Sequence, residues 1–260
     1  GNFVCSFPDG PASSTVSVQV KDSDDAASIT ATQTVTVSNV APTVSSVTMS
    51  GIDPVTGNAT LTAAFVDPGA DSFGGSGFAA TYGSSSAYPG PATVTGRTMT
   101  AQVNLPRGCF TYTVTATVID DDGASGSKSA SSGSTTDIYQ VGFKDPIRDN
   151  ERNIAKYGNV VPVKVLLSSS CSGAAVTTVS LYLTIVQGNV TDDAIDDSPN
   201  IVVDSVSNAD SGTQMRTSGG MYMYNLSTKG LTQGQDYTLR VRSGSATGPV
   251  ILKALLQPKK

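Results

Sequence analysis

The chain of 260 residues contains no histidine and no tryptophan, and Glu151 is its only glutamate. Without histidine, the usual imidazole base, the serine–histidine and cysteine–histidine nucleophile pairs and most transition-metal sites are excluded. A catalyst would have to work with Asp, Lys, Tyr or Ser alone, so the chain is not expected to be an enzyme. Charge is scarce too: Lys, Arg, Asp and Glu make up 14% of the residues, against roughly 25% in an average globular domain. The net charge is −5 and no cluster of Lys or Arg occurs apart from the terminal Lys259-Lys260, which speaks against nucleic acid and anionic lipid as partners. No run approaches the roughly 18 apolar residues that span a bilayer, so membrane insertion is not expected. The N-terminus has no basic region followed by an apolar run, the mark of a signal peptide. Beginning at Gly1 without an initiator methionine, the chain is expected to be a fragment whose export signal lay upstream.

Cysteine is sparse and dispersed. Cys5, Cys109 and Cys171 form no C-x-x-C, so neither a metal knuckle nor a redox motif is present. One disulfide with one free thiol has three pairings open to it, and the alternative is that all three are small buried hydrophobes.

Small hydroxyls are abundant instead, with 34 Ser and 31 Thr filling a quarter of the chain. Exposed helix faces need Glu, Lys, Leu and Ala, whereas strands tolerate Thr and Val, so the composition predicts an all-β fold. A 38% hydrophobic fraction suffices for two modest cores at this length.

The chain also repeats itself. Residues 10–28 lie over residues 108–126 at a constant offset of 98, which places Val16, Val18 and Val20 on Val114, Ala116 and Val118. In both copies apolar and hydroxyl residues alternate with period two, an Asp-rich turn follows, and a second Thr/Ser-rich run returns, Ile29 to Val37 in one and Lys128 to Ile138 in the other. Alternation puts one face in a core and one in water, and an Asp-Gly turn supplies the positive φ of a hairpin loop. Each copy therefore predicts a hairpin that closes a domain of about 95 residues, the size of a seven-stranded sandwich. Strands are expected at Val44–Met49, Ala59–Phe65, Phe78–Tyr82, Thr93–Val94, Thr98–Val103 and Phe110–Ile119, separated by turn signals such as Asp67-Pro68-Gly69. The first copy has only about 40 residues before Ala41-Pro42, room for the back half of a sandwich.

At Phe7-Pro8-Asp9-Gly10, Val16 to Val20, Asp22-Ser23-Asp24 and Thr34 to Pro42, and again at Phe65 to Gly69 and Tyr112 to Gly123, the sequence resembles the polycystic-kidney-disease (PKD) family of immunoglobulin-like modules over roughly residues 5–135. The family's tryptophan and Gly-Asp-Gly stretch is replaced by Thr81-Tyr82-Gly83-Ser84-Ser85, so no role of that stretch carries over. The C-terminal third predicts seven more strands, at Ile138–Phe143, Val160–Leu167, Val176–Val186, Ile201–Val206, Tyr222–Asn225, Tyr237–Arg242 and Val250–Leu256. Gly142 to Ile147 and Ala155 to Val165, with Pro162-Val163-Lys164-Val165 in the place of the name motif, resemble the PxKF module found at the C-terminus of actinobacterial secreted proteins. That module often has two cysteines where this chain has only Cys171.

The expected architecture is thus tandem immunoglobulin-like β-sandwiches with the first incomplete: 1–41, the back of a PKD-like sandwich; 42–137, a full one; 138–260, a PxKF-like sandwich. The resemblance and the low charge imply export, where disulfides persist. With no domain holding two cysteines, a bridge is expected to join neighbours, Cys109 to Cys171 ahead of the other pairs.

The Asp-rich turns are the only chemistry on offer. Ca²⁺ needs several converging oxygens, and Asp22 and Asp24 in one turn, Asp120 and Asp122 in the other, are the candidate ligands; no cofactor is required. The competing reading is that aspartate simply makes turns by bonding its own backbone. Asp192, Asp193, Asp196 and Asp197 lack the glycine and the spaced glutamate of an EF-hand. Adjacent turn carboxylates also lack the facing geometry of glycoside hydrolysis. Lys164 reads as an exposed lysine on an edge strand rather than one half of an isopeptide bond, which would need a neutral acid beside it. Tyr222, Tyr224 and Tyr237 read as a half-buried sheet surface ahead of a sugar-stacking face.

These features imply an extracellular or cell-surface structural and adhesive module. Its partners would be proteins, either upstream domains of the same protein or further copies joined by strand donation into a filament or lattice. The alternative is a carbohydrate-binding accessory region of a secreted hydrolase, with polysaccharide as partner. Left without a facing sheet, Val16, Val18, Val20, Val35 and Val37 would forfeit several kcal/mol at about 25 cal/mol per Å², so residues 1–41 are not expected to be ordered alone.

Overall fold

The computed structural model describes residues 2–7, 10–149, 151–193 and 212–260. Strands and their connections account for all of the regular structure there, with no helix among the described residues. By packing, the chain divides into two compact units. One is made of Gly1–Gly51, Ala59–Asn104 and Thr111–Ser134, and the other of Ile52–Asn58, Leu105–Phe110 and Thr135–Lys260.

The first unit opens with β1 (Ala12–Val18) and β2 (Ala31–Val37), an antiparallel pair running from Ala12 opposite Val37 to Val18 opposite Ala31. Among the described residues the two strands pair with nothing else. They form a ribbon, where the sequence led to an expectation of disorder, and its apolar face is only partly covered: Val16, Val35 and Val37 are half-buried, Val18 is 37% exposed and Val20, just past β1, is 66% exposed.

The sandwich of this unit uses β3 (Thr43–Ser50), β4 (Asn58–Val66), β5 (Gly77–Tyr82), β6 (Ser85–Ala87), β7 (Thr93–Thr95), β8 (Thr98–Asn104), β10 (Tyr112–Ile119) and β11 (Ser125–Ser131), whereas β9 (Gly108–Phe110) belongs to the second unit. One sheet has the order β3-β4-β8-β7 and the other β11-β10-β5-β6. Period-two alternation explains both, because Leu61, Ala63 and Phe65 of β4 and Tyr112, Val114, Ala116 and Val118 of β10 point inward and are buried, while the Thr residues between them face out. The linker into β3 lies so close to β11 that a Cβ on Gly126 would fall 1.9 Å from the Pro42 carbonyl oxygen. Only glycine fits there.

The second unit adds β12 (Thr136–Ile138), β13 (Gln140–Lys144), β14 (Arg152–Lys156), β15 (Val160–Ser168), β16 (Leu181–Gln187), β17 (Arg216–Ser218), β18 (Met221–Ser227), β19 (Tyr237–Ser243) and β20 (Val250–Lys259). Its sheets run β13-β15-β18-β17 and β14-β20-β19-β16, and β14 lies parallel to β20. They enclose Val163, Val165, Leu167, Leu181, Leu183, Tyr224, Leu239, Val241 and Leu256, each fully buried. The strand expected at Val176–Val186 begins only at Leu181: Val176 N–H bonds the Leu167 carbonyl, and Val179 is held by the Tyr222 hydroxyl, so the chain crosses before it enters the sheet. The strand expected at Ile201–Val206 lies outside the described residues. Segments Ile52–Asn58 and Leu105–Phe110 belong to this unit: β9 pairs with β12, and Tyr139 N–H donates to the Pro54 carbonyl at 2.8 Å.

Candidate functional site

The repeat seen in the sequence is reproduced in the backbone hydrogen bonds of the two turns. In the hairpin, Asp22 N–H donates to Ala26 O at 3.0 Å and Asp25 N–H to Asp22 O at 3.2 Å; in the sandwich, Asp120 N–H donates to Ala124 O at 3.0 Å and Gly123 N–H to Asp120 O at 3.2 Å. The leading aspartate closes each loop with its side chain: Asp22 Oδ1 accepts from Asp24 and Ala26 N–H at 3.0 and 2.9 Å, and Asp120 Oδ1 from Ala124 N–H at 2.7 Å. Position four has positive φ in both, 63° at Asp25 and 87° at Gly123. Glycine adopts that backbone without a Cβ penalty and aspartate is among the few residues that tolerate it.

The turns differ in one respect. Asp120 is 2% exposed and its Oδ2 accepts from Asn39 Nδ2 at 2.9 Å, which ties the turn to the linker ahead of β3. Asp22 is exposed.

Of the four candidate calcium ligands, Asp22 and Asp120 turn oxygens onto their own turn N–H groups, and Asp24 is exposed. Asp122 joins Asp71 and Asp121, whose carboxylates lie within 4.8 Å of one another. Asp71 belongs to the loop after β4, which Arg97 secures: its guanidinium lies 4.7 Å from the Phe73 ring centroid, and Nη2 donates to the carbonyls of Asp67 and Gly69 at 3.0 and 2.7 Å. A hydrogen bond from the Ser72 backbone is the main cause holding the Asp121 carboxyl below its ordinary range. Asp71 is half-buried and the other two are exposed, and the three carboxylates are close enough to share one cation.

In the second unit, Cys109 and Cys171 form a disulfide and Cys5 is free and exposed. Asp137 accepts from Ser170 N–H at 2.7 Å and Ser169 Oγ at 2.5 Å, fixing the loop that carries Cys171. Arg107 donates to the carbonyls of Val55, Tyr139 and Ile251, and burial pulls its pKa down. Nothing in the sequence singles out Arg107 or Asn39, whose partners are 32 to 144 and 81 residues away.

Lys164 is not on an edge: β15 lies between β13 and β18, and Lys164 sits opposite Lys144 and Met223, neither of them an acid. Tyr222, Tyr224 and Tyr237 are core residues, at most 2% exposed. The hydroxyls of Tyr222 and Tyr224 donate to the carbonyls of Val179 and Gly212, and that of Tyr237 accepts from Thr232 N–H. They offer no stacking face. A cavity of about 270 Å³ is bordered by Glu151, Arg152, Asn189, Thr191, Thr238 and Lys253. Its cations are already engaged, Arg152 with Asp236 and Lys253 with Asp193, both at 2.8 Å. Asp196 and Asp197 lie outside the described residues.

Fold and turns together define an all-β chain of immunoglobulin-like sandwiches in series. No protein-family model and no curated protein matches it. Among solved structures it is similar to the adhesin InvE of Yersinia pseudotuberculosis, with 14% identity, 83% of this chain and 60% of that chain covered and a TM-score of 0.26. It is also similar to a 1.5-MDa bacterial ice-binding adhesin, with 13% identity, coverage of 97% and 76% and a TM-score of 0.25, and to the FN1–FN3 domains of chicken CNTN1, with 11%, 95% and 78% and a TM-score of 0.21. The chain thus spans 60% of the InvE chain. Superpositions this loose carry nothing about function.

Proposed function

We propose that the chain is a non-catalytic structural and adhesive region of a bacterial surface or secreted protein, built from PKD-type sandwiches and ended by a PxKF-like module. In this reading the sandwiches act as serial spacers, and the open hairpin is a point of attachment to a neighbouring protein module. The observation that supports it best is the repeated turn at Asp22 and Asp120, since reuse of one supersecondary unit along a chain is how serial scaffolds are built. The disulfide suits an oxidising, extracellular compartment. With no histidine in the sequence, a serine or cysteine nucleophile lacks its usual base.

The test is retention on insoluble cellulose, chitin and peptidoglycan, alongside assays for glycoside and peptide hydrolysis. The expected result is neither retention nor turnover. Saturable retention would replace this reading with that of a carbohydrate-binding accessory region.

A further inference from the structure

The middle sandwich shows what the first hairpin lacks, because the repeat runs further than the hairpin. At the same offset of 98, Phe7-Pro8 and Gly10 fall on Leu105-Pro106 and Gly108, and Phe3 and Cys5 on Ala101 and Val103. In the middle sandwich Ala101 and Val103 lie on the inward face of β8, 5% and 3% exposed, and Leu105, just past the strand, is 1% exposed. In the first copy the matching residues are apolar too, yet Phe3 is 63% exposed, Phe7 36%, and Cys5 is exposed. Residues 2–7 form no strand. The same contrast holds along the hairpin, where Val20 is 66% exposed and its counterpart Val118 is fully buried.

The neighbours that bury the second copy are known one by one. β8 lies between β4 and β7, and β10 pairs along its outer edge with β5, Val114 opposite Ala80 and Ala116 opposite Phe78. Asn39 closes on Asp120 just ahead of β3. Subtracting 98 gives the vacant places: an antiparallel strand along Ser14 to Gln19, a strand beside residues 2–7, and an amide donor at Asp22.

We infer that residues 2–7 and 10–37 are a docking site for one kind of occupant: the front strands of a PKD-like sandwich, patterned as residues 39–99 of this chain are and supplied from outside residues 1–260. The inference rests on the proposed reading of the hairpin as an attachment point and names what attaches. A second copy is not that occupant, because its own front strands already cover its own β10 and β11. Docking adds a β5-like strand to the free edge of β1 and turns residues 2–7 into a β8-like strand. Cys5 then takes the place of Val103 in the core, and Asp22 gains the asparagine that Asp120 already has.

Cys5 reports the event, since the other two cysteines are bonded to each other. Residues 39–99 of this sequence would be joined directly ahead of Asn2 in the full chain, which preserves the offset of 98. Reaction of Cys5 with a disulfide reagent, and exchange of the β1 amides, are then compared with the parent chain. The expected result is that both slow by roughly 100-fold or more in the grafted chain, and that Val16→Asp in the graft restores the parental rates. A grafted chain whose Cys5 stays as reactive as the parent's overturns the inference. So does a parent chain whose Cys5 is already protected while light scattering shows mass rising with concentration, because the occupant is then a second copy. Polysaccharide retention, in contrast, would overturn the proposed function and leave the Cys5 result untouched.

Discussion

Asp22 and Asp120 hold matching positions of the repeat and have different surroundings. Each closes its turn with Oδ1, but only Asp120 is buried and spends Oδ2 on Asn39. Removing a buried carboxylate strands the N–H and amide groups it satisfied, at about 2 kcal/mol for charge-assisted bonds. Asp120→Ala should therefore lower the unfolding free energy of the middle sandwich by that amount, read as a lower urea midpoint, and Asp22→Ala should leave the midpoint within error. Equal losses would mean that the turn alone carries the effect. Tyr112 gives a pH signature. Burial, and secondarily the neighbouring Tyr82, pushes its hydroxyl from 10.0 up to about 12. The fold retains the proton that the unfolded chain releases, so this contribution to stability is complete below pH 10 and is lost as pH rises from 10 towards 12. Melting followed by circular dichroism should fall across that window, less steeply in Tyr112→Phe; parallel curves would remove Tyr112 as the cause. The turn aspartates were legible in the sequence because Asp and Gly have local preferences. Asn39 was not, because its partner is 81 residues away.

Strands with clean alternation, such as β4, β10 and β15, are legible because one face goes to a core. β14 is not: Arg-Asn-Ile-Ala-Lys has charges at both ends and becomes a strand by pairing in parallel with β20, about 100 residues on. β19 misleads in another way. Its Tyr-Thr-Leu-Arg-Val-Arg pattern suggests two wet arginines, yet Arg240 is fully buried and Arg242 7% exposed, with Arg240 donating to Asp192 O and Arg242 to Thr184 Oγ1 and Gly248 O. Period-two patterning cannot show that loops fold over the outer face. The disulfide belongs to this scale as well. It joins β9 to the loop after β15 across 62 residues, and chain entropy alone assigns such a loop about 4 kcal/mol. Arg107 and Asp137 hold the same segments non-covalently. Reduction should therefore lower the melting temperature of the second unit and speed amide exchange first in residues 105–110, while exchange in β15 and β18 changes little. Uniform acceleration would show that the bridge supports the whole core instead.

At the scale of the molecule, each sandwich has its own core, one around Leu61, Met99 and Val114 and the other around Val163, Leu183 and Leu239. The ribbon β1–β2 has none, and an isolated two-stranded hairpin is marginal in water. A core is what turns local pairing into a cooperative transition, so denaturant should reveal the two sandwiches and no third event. The place of a truncation then matters more than its length. Removing residues 1–37 discards the ribbon but keeps Asn39 on Asp120 and the Pro42 carbonyl against Gly126; both transitions should keep their midpoints. Removing residues 1–41 takes only four residues more, yet it deprives Asp120 of its amide partner, at a cost of about 1–3 kcal/mol for a buried group left unmatched. The transition of the middle sandwich should move in the longer truncation alone, and a shift already present in the shorter one would show that the ribbon contributes to the sandwich it precedes.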